Sequence, residues 1–130
     1  MTTALARLKA RADFLRVAAA RRSAARPGLV LQAAPRPRGC DAEAVRVGFT
    51  ASRKVGNAVL RNRAKRRLRA AAAFVLRRDG VPGTDYVMIA RAGTVARPYA
   101  ELVGDLESAL RQIGRRGGEL AAVARRGGTG

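Results

Sequence analysis

From Ala44 to Arg78 the chain carries no Asp or Glu, while eleven residues in that stretch are basic: Arg46, Arg53, Lys54, Arg61, Arg63, Lys65, Arg66, Arg67, Arg69, Arg77 and Arg78. The second part of this run, Ala58 to Arg78, has the period of a helix. At roughly 100° per residue, Leu60, Ala64, Leu68, Ala71 and Val75 fall on one narrow stripe. Asn62, Lys65, Arg66, Arg69 and Arg77 lie opposite, with Arg61 and Arg63 on the flanks. Such a helix folds by laying its stripe on a sheet and leaving its cations outside. A surface decorated only for solubility gains from i,i+4 pairs of opposite sign. This one forgoes them, and its self-repulsion is relieved by phosphates, which release condensed counterions on binding.

The remaining elements are arranged around that helix. Phe14, Val17 and Ala18 have i, i+3, i+4 spacing, which predicts a short amphipathic helix within Ala10–Arg22. Pro27-Gly28 breaks the chain, and Leu29–Ala33 reads as a strand. A loop follows at Pro35–Gly39. Val45, Val47, Phe49 and Ala51 alternate with Arg46, Gly48 and Thr50, as in a half-buried strand. Gly56-Asn57 precedes the cationic helix and suits either a turn shaping the loop of Arg53 and Lys54 or a helix cap. Asp79-Gly80 and Pro82-Gly83 end that helix. Tyr86–Ala90 is continuously apolar, as in an interior strand covered on both faces. Pro98 then opens a final helix marked by Leu102, Leu106, Ala109, Leu110 and Ile113. The order α-β-β-α-β-α predicts an α/β two-layer sandwich, a single domain over residues 1–114. The Arg/Gly-rich stretch 115–130 reads as a flexible tail, either inert or adding general attraction for RNA.

Composition narrows the chemistry. The net charge is +18, from 27 Lys and Arg against 9 Asp and Glu. Only Lys9, Lys54 and Lys65 are lysines, a bias that GC-rich coding explains as well as phosphate recognition does, so placement carries the argument. There is no histidine and one cysteine, Cys40, which removes the commonest general base, any disulfide framework and any multi-cysteine metal site. No run approaches the roughly 20 apolar residues of a membrane span, and no apolar segment follows the N-terminal cations as in a secretory signal. A cytoplasmic, monomeric binder of a polyanion is expected, without a protein-bound cofactor or metal.

The segment RVGFTASRKVGNAVLRNRAKRRLR, Arg46 to Arg69, resembles the signature of the bacterial ribonuclease P protein component. That pattern is close to Gly-Asn-Ala-Val-x-Arg-Asn-Arg-x-Lys-Arg-x-x-Arg, and Gly56, Arg61, Asn62, Arg63, Lys65, Arg66 and Arg69 match its fixed positions. The similarity extends to Asp13-Phe14, to Gly48, Ser52 and Lys54, and to Ile89-Ala90-Arg91, covering residues 8–113 or thereabouts. The resemblance implies an α/β sandwich with a left-handed β-α-β crossover, against the right-handed rule. It also implies a partner, a catalytic RNA that uses Mg²⁺ to remove the 5′ leader of precursor tRNA. The protein would assist by binding that RNA and the leader.

By the same resemblance, Arg53, Lys54, Asn57, Arg61, Asn62, Arg63, Lys65, Arg66 and Arg69 face the catalytic RNA. Phe14, Val17, Val30 and Gln32 map to a cleft for the leader, where Phe14 is either a base-stacking group or a core residue. Ala18 and Gln32 stand where the family often has aromatics, which predicts a weak aromatic contribution. The competing class is a ribosomal or other structural RNA-binding protein, which would show no dependence on a leader.

Overall fold

The computed structural model describes residues 5–36 and 44–129, with side chains through Gly114. Along the chain run β1 (Leu5–Arg7), α1 (Arg11–Ala19), β2 (Arg22–Ala25), β3 (Leu29–Pro35), β4 (Val45–Thr50), α2 (Ala58–Asp79), β5 (Thr84–Ala90) and α3 (Tyr99–Thr129). Five strands form one mixed sheet in the order β1-β4-β5-β3-β2. The β1/β4 and β4/β5 pairs are parallel; β5/β3 and β3/β2 are antiparallel. The α/β sandwich is therefore as expected, with two short strands added. The edge strands β1 and β2 have three and four residues and lack an apolar alternation, so nothing in their composition announces them. Arg21, at φ 57°, turns the chain out of α1 and into β2, so that helix ends before Arg22. Cys40 and most of the Pro35–Gly39 loop lie outside the described residues, as do the side chains of the Arg/Gly-rich stretch 115–130.

The period of two along each strand divides the sheet into two unequal faces. Leu29, Leu31, Ala33, Val45, Val47, Tyr86 and Met88 point to one side and meet Ala64, Leu68, Ala71 and Val75 of α2 with Leu102, Leu106 and Ile113 of α3. All of these are buried, and Leu68 alone contributes about 1.5–3 kcal/mol by leaving water. Leu60, the first residue of the expected stripe, is only half-buried, while Ala72 and Leu76 widen the buried face toward its C-terminal end. The buried Tyr86 phenol oxygen accepts a hydrogen bond from the Val81 amide at 3.1 Å, which satisfies it inside the core. On the other face Leu8, Val17, Ala34 and Val87 form a much smaller cluster beneath α1, which leaves part of the sheet open.

The topology contains a departure from the usual hand. The chain moves from β1 through α1 to β2, and from β4 through α2 to β5, in the same lateral direction across the sheet and between strands of the same sense. The two helices lie on opposite faces. Two such crossovers must have opposite hands, so one of them is left-handed.

Candidate nucleic-acid interface

The cationic face is built outward from the start of α2. Gly56 has φ 141°, open to glycine but strained for other residues, and it delivers Asn57 as the helix cap. The Asn57 side-chain oxygen accepts the Leu60 amide at 3.0 Å, so capping is the role this structure gives it. In the preceding turn Val55 is buried, which leaves Arg53 and Lys54 outside. Along the helix Asn62, Arg63, Arg66 and Arg69 are exposed, and Arg61 and Lys65 are half-buried. Among the described residues none of these cations pairs with a carboxylate, and the buried Arg61 Nε has no hydrogen-bond partner.

Other members of the basic run behave differently. Arg46 pairs with Asp85 at 2.6 Å and with Asp13 at 3.6 Å. Arg78 pairs with Asp79 and Glu107 at 2.8 and 2.6 Å, which raises its pKa, and stacks over the Phe74 ring at 5.3 Å. Arg67 donates to the backbone carbonyls of Thr94 and Arg97. Asp85 is the centre of a second charge system. Wholly buried, it accepts from Arg16 of α1, from Arg36 beyond β3 and from Arg46 of β4. Burial pushes its carboxyl pKa up, but the hydrogen bonds from the three guanidiniums outweigh that and the net shift is downward. This cluster fastens α1 to the sheet at one end and so fixes the position of the surface that α1 overhangs.

That surface is a groove. Register places Gly48, Val87, Gln32 and Ser23 in one cross-strand row and Thr50, Ile89, Val30 and Ala25 in the next. The Phe14 ring lies directly on Gly48, where an added Cβ would stand 2.4 Å from it. Phe14, Leu15, Thr50, Lys9 and Arg11 line a hollow of about 400 Å³. Ile89, the register partner of Thr50, lines a second hollow of about 540 Å³ with Ser52, Lys54, Pro27 and Arg91. Thr50 of the first hollow and Ile89 of the second are register partners on adjacent strands, so the two hollows are neighbours on the sheet, each bordered by cations.

The structure brings Phe14, Val30 and Gln32 to this groove, all half-buried. It does not bring Val17, which is completely buried between α1 and the sheet, against Ala34 and Val87. An amphipathic spacing does not tell which apolar residue reaches the rim. Lys9, Arg11, Leu15 and Thr50 also line the groove, as does Arg91 of the matched Ile89-Ala90-Arg91, though none of them is among the expected leader contacts. The one signal for them was position, since Arg11 and Leu15 flank Phe14 on a helix and Arg91 follows an apolar strand.

A sequence profile described as ribonuclease P matches residues 3–114. The ribonuclease P protein component of Paramagnetospirillum magneticum is 57% identical over 116 residues, covering 88% of this chain and 86% of that protein. That of Gluconacetobacter diazotrophicus is 52% identical over 113 residues, covering 87% and 95%. Among solved structures, the Staphylococcus aureus RNase P protein superposes with TM-score 0.65 at 30% identity, covering 81% of this chain and 92% of that one. The Thermotoga maritima RNase P protein gives 0.62 at 27% identity, covering 78% and 92%.

Proposed function

The chain belongs to the bacterial ribonuclease P protein family and is the protein component of that endoribonuclease, and from this premise we propose that α2 docks on the ribonuclease P RNA while the groove beside α1 takes the 5′ leader of precursor tRNA. The observation that carries the first half is the contrast in pairing. The guanidiniums of Arg16, Arg36, Arg46, Arg78 and Arg97 are held by carboxylates, whereas those of Arg61, Arg63, Arg66 and Arg69, spread over the side of α2 away from its apolar stripe, have none among the described residues. A fixed row of unneutralised arginines matches a phosphate backbone, where each contact releases counterions.

The groove supports the second half. Its floor offers Phe14 and aliphatic side chains, which stack or pack on bases without selecting among them, and Lys54, Arg91, Lys9 and Arg11 supply cations for the backbone. That combination suits single strands of variable sequence. The chemistry is assigned to the RNA and its Mg²⁺. Among the described residues no group of three or more His, Cys, Asp or Glu is placed to hold a metal ion. The protein's part is to neutralise, orient and extend the substrate-binding surface in the cytoplasm, as a monomer joined to the RNA.

Salt titration tests the docking face. Arg66→Ala should weaken binding to the ribonuclease P RNA and reduce the slope of log K against log salt by about one unit; an unchanged slope contradicts the contact. Reconstitution at low Mg²⁺ with precursor tRNAs of long and truncated leaders tests the groove. Rescue that grows with leader length supports it, and rescue independent of the leader favours a purely structural RNA-binding role.

A further inference from the structure

Arg67 lies inside the basic run but does not share its face. One residue step turns it about 100° from Arg66, and it points at the segment between β5 and α3. There its guanidinium donates from Nε to the Thr94 carbonyl at 3.1 Å and from its other end to the Arg97 carbonyl. Two separate nitrogens of one planar guanidinium serve these carbonyls, which are three residues apart, whereas a lysine would have a single nitrogen to serve both.

The segment it holds continues directly from one border of the larger hollow. Arg91, Ala92 and Gly93 line that hollow together with Ser52 and Lys54. Thr94, fully buried, closes the turn by accepting from the Arg91 amide at 2.8 Å and donating to the Gly28 carbonyl at 2.6 Å. Arg97 in turn donates to Asp105 at 2.5 Å, and Asp105 accepts the Gly28 amide at 2.9 Å. The neighbouring border, Ser52–Lys54, leads into the capped start of α2. Both borders are therefore referred to the same helix, one through the chain and one through Arg67.

We propose that Arg67 is a positioning residue: it ties the border carrying Arg91 to the RNA-docking helix, so that the width of the leader groove is set by α2. The inference rests on the leader-binding reading of the groove and adds to it a coupling between the two RNA surfaces. It also keeps Arg67 outside the phosphate-contacting set, although Arg66 and Arg69 beside it in the basic run belong to it.

The test uses the holoenzyme reconstituted from the full chain and the ribonuclease P RNA. Affinity is measured for precursor tRNA with a long leader and with a single-nucleotide leader, and the ratio is the leader increment. Arg67→Ala should lower that increment by roughly fivefold or more, the scale of coupling between linked sites, and leave the salt slope for RNA assembly at the native value. Arg67→Lys separates geometry from charge. A positioning fork loses most of the increment on this change, whereas a phosphate contact keeps it. If the alanine variant shows no thermal unfolding transition, the lysine variant carries the test. A salt slope lowered as in Arg66→Ala, or a native increment in Arg67→Lys, overturns the inference while leaving the leader reading intact. A native holoenzyme with no leader increment overturns both.

Discussion

Replacing Asp85 by Asn isolates the buried charge system under α1. The carboxylate is fully buried and receives three guanidiniums, and their environments differ. The side chains of Arg16 and Arg46 are 29% and 24% exposed and have water within reach, but that of Arg36 is 3% exposed and has little. Neutralising Asp85 therefore strands chiefly the Arg36 charge. Losing one side of a buried ion pair costs about 3–5 kcal/mol, and Asn keeps the shape and one acceptor oxygen, which places the loss near about 3 kcal/mol at pH 7. Against a total stability of about 5–15 kcal/mol that is a large fraction. With a urea m-value of about 1–3 kcal/mol/M, the midpoint falls by about 1–3 M. Circular dichroism under urea reads this directly. The pH dependence supplies a second check. Because the folded carboxyl pKa lies below its unfolded value of about 3.9, its stabilisation is complete above that value and disappears as pH falls through the folded pKa. The gap between the two proteins must therefore begin to narrow below pH of about 4 and close as pH falls past the folded pKa. A loss under about 1 kcal/mol at pH 7, or a gap that persists in acid, refutes the assignment of Asp85 as the hub.

Three further outcomes are measurable. Gly48→Ala forces a methyl into the Phe14 ring, where the nearest ring atom is 2.4 Å away, and should cost about 1–3 kcal/mol in thermal or urea unfolding as overpacking does. Asn57→Ala should remove about 1 kcal/mol of stability through loss of the cap while leaving the salt slope for RNA binding unchanged. A reduced slope would make Asn57 a direct part of the electrostatic contact. Phe14→Leu, with folding intact, should reduce leader affinity by less than about tenfold, the lower end of what a single base stack contributes; a larger loss shows that the ring carries the groove.

The sequence disclosed α2 almost completely because three independent signals agree there. The apolar period, the capping residue and the missing carboxylates all describe one helix with one wet face. It disclosed less where a signal is short or where partners are distant. Three- and four-residue edge strands have too few positions for a period to register. Arg46, Arg67 and Arg78 look like their neighbours in a linear charge run, but their partners Asp85, Arg97 and Glu107 are 39, 30 and 29 residues away. A run of cations identifies a polyanion-binding region without identifying which cations fold inward. Val17 and Phe14, three residues apart on α1, illustrate the same limit for apolar groups. One is fully buried and the other reaches the rim, because the sheet presents Ala34 of β3 and Val87 of β5 to the first and the bare Gly48 of β4 to the second.

The sheet's two margins are closed by β1 and β2, each too brief to offer a long row of free amides and carbonyls, and Arg7 and Arg22 stand on them. A second copy seeking to extend the sheet would find little backbone to pair with and a like charge in the way. The protein can thus be concentrated on a long anionic scaffold without its strands joining from one molecule to the next.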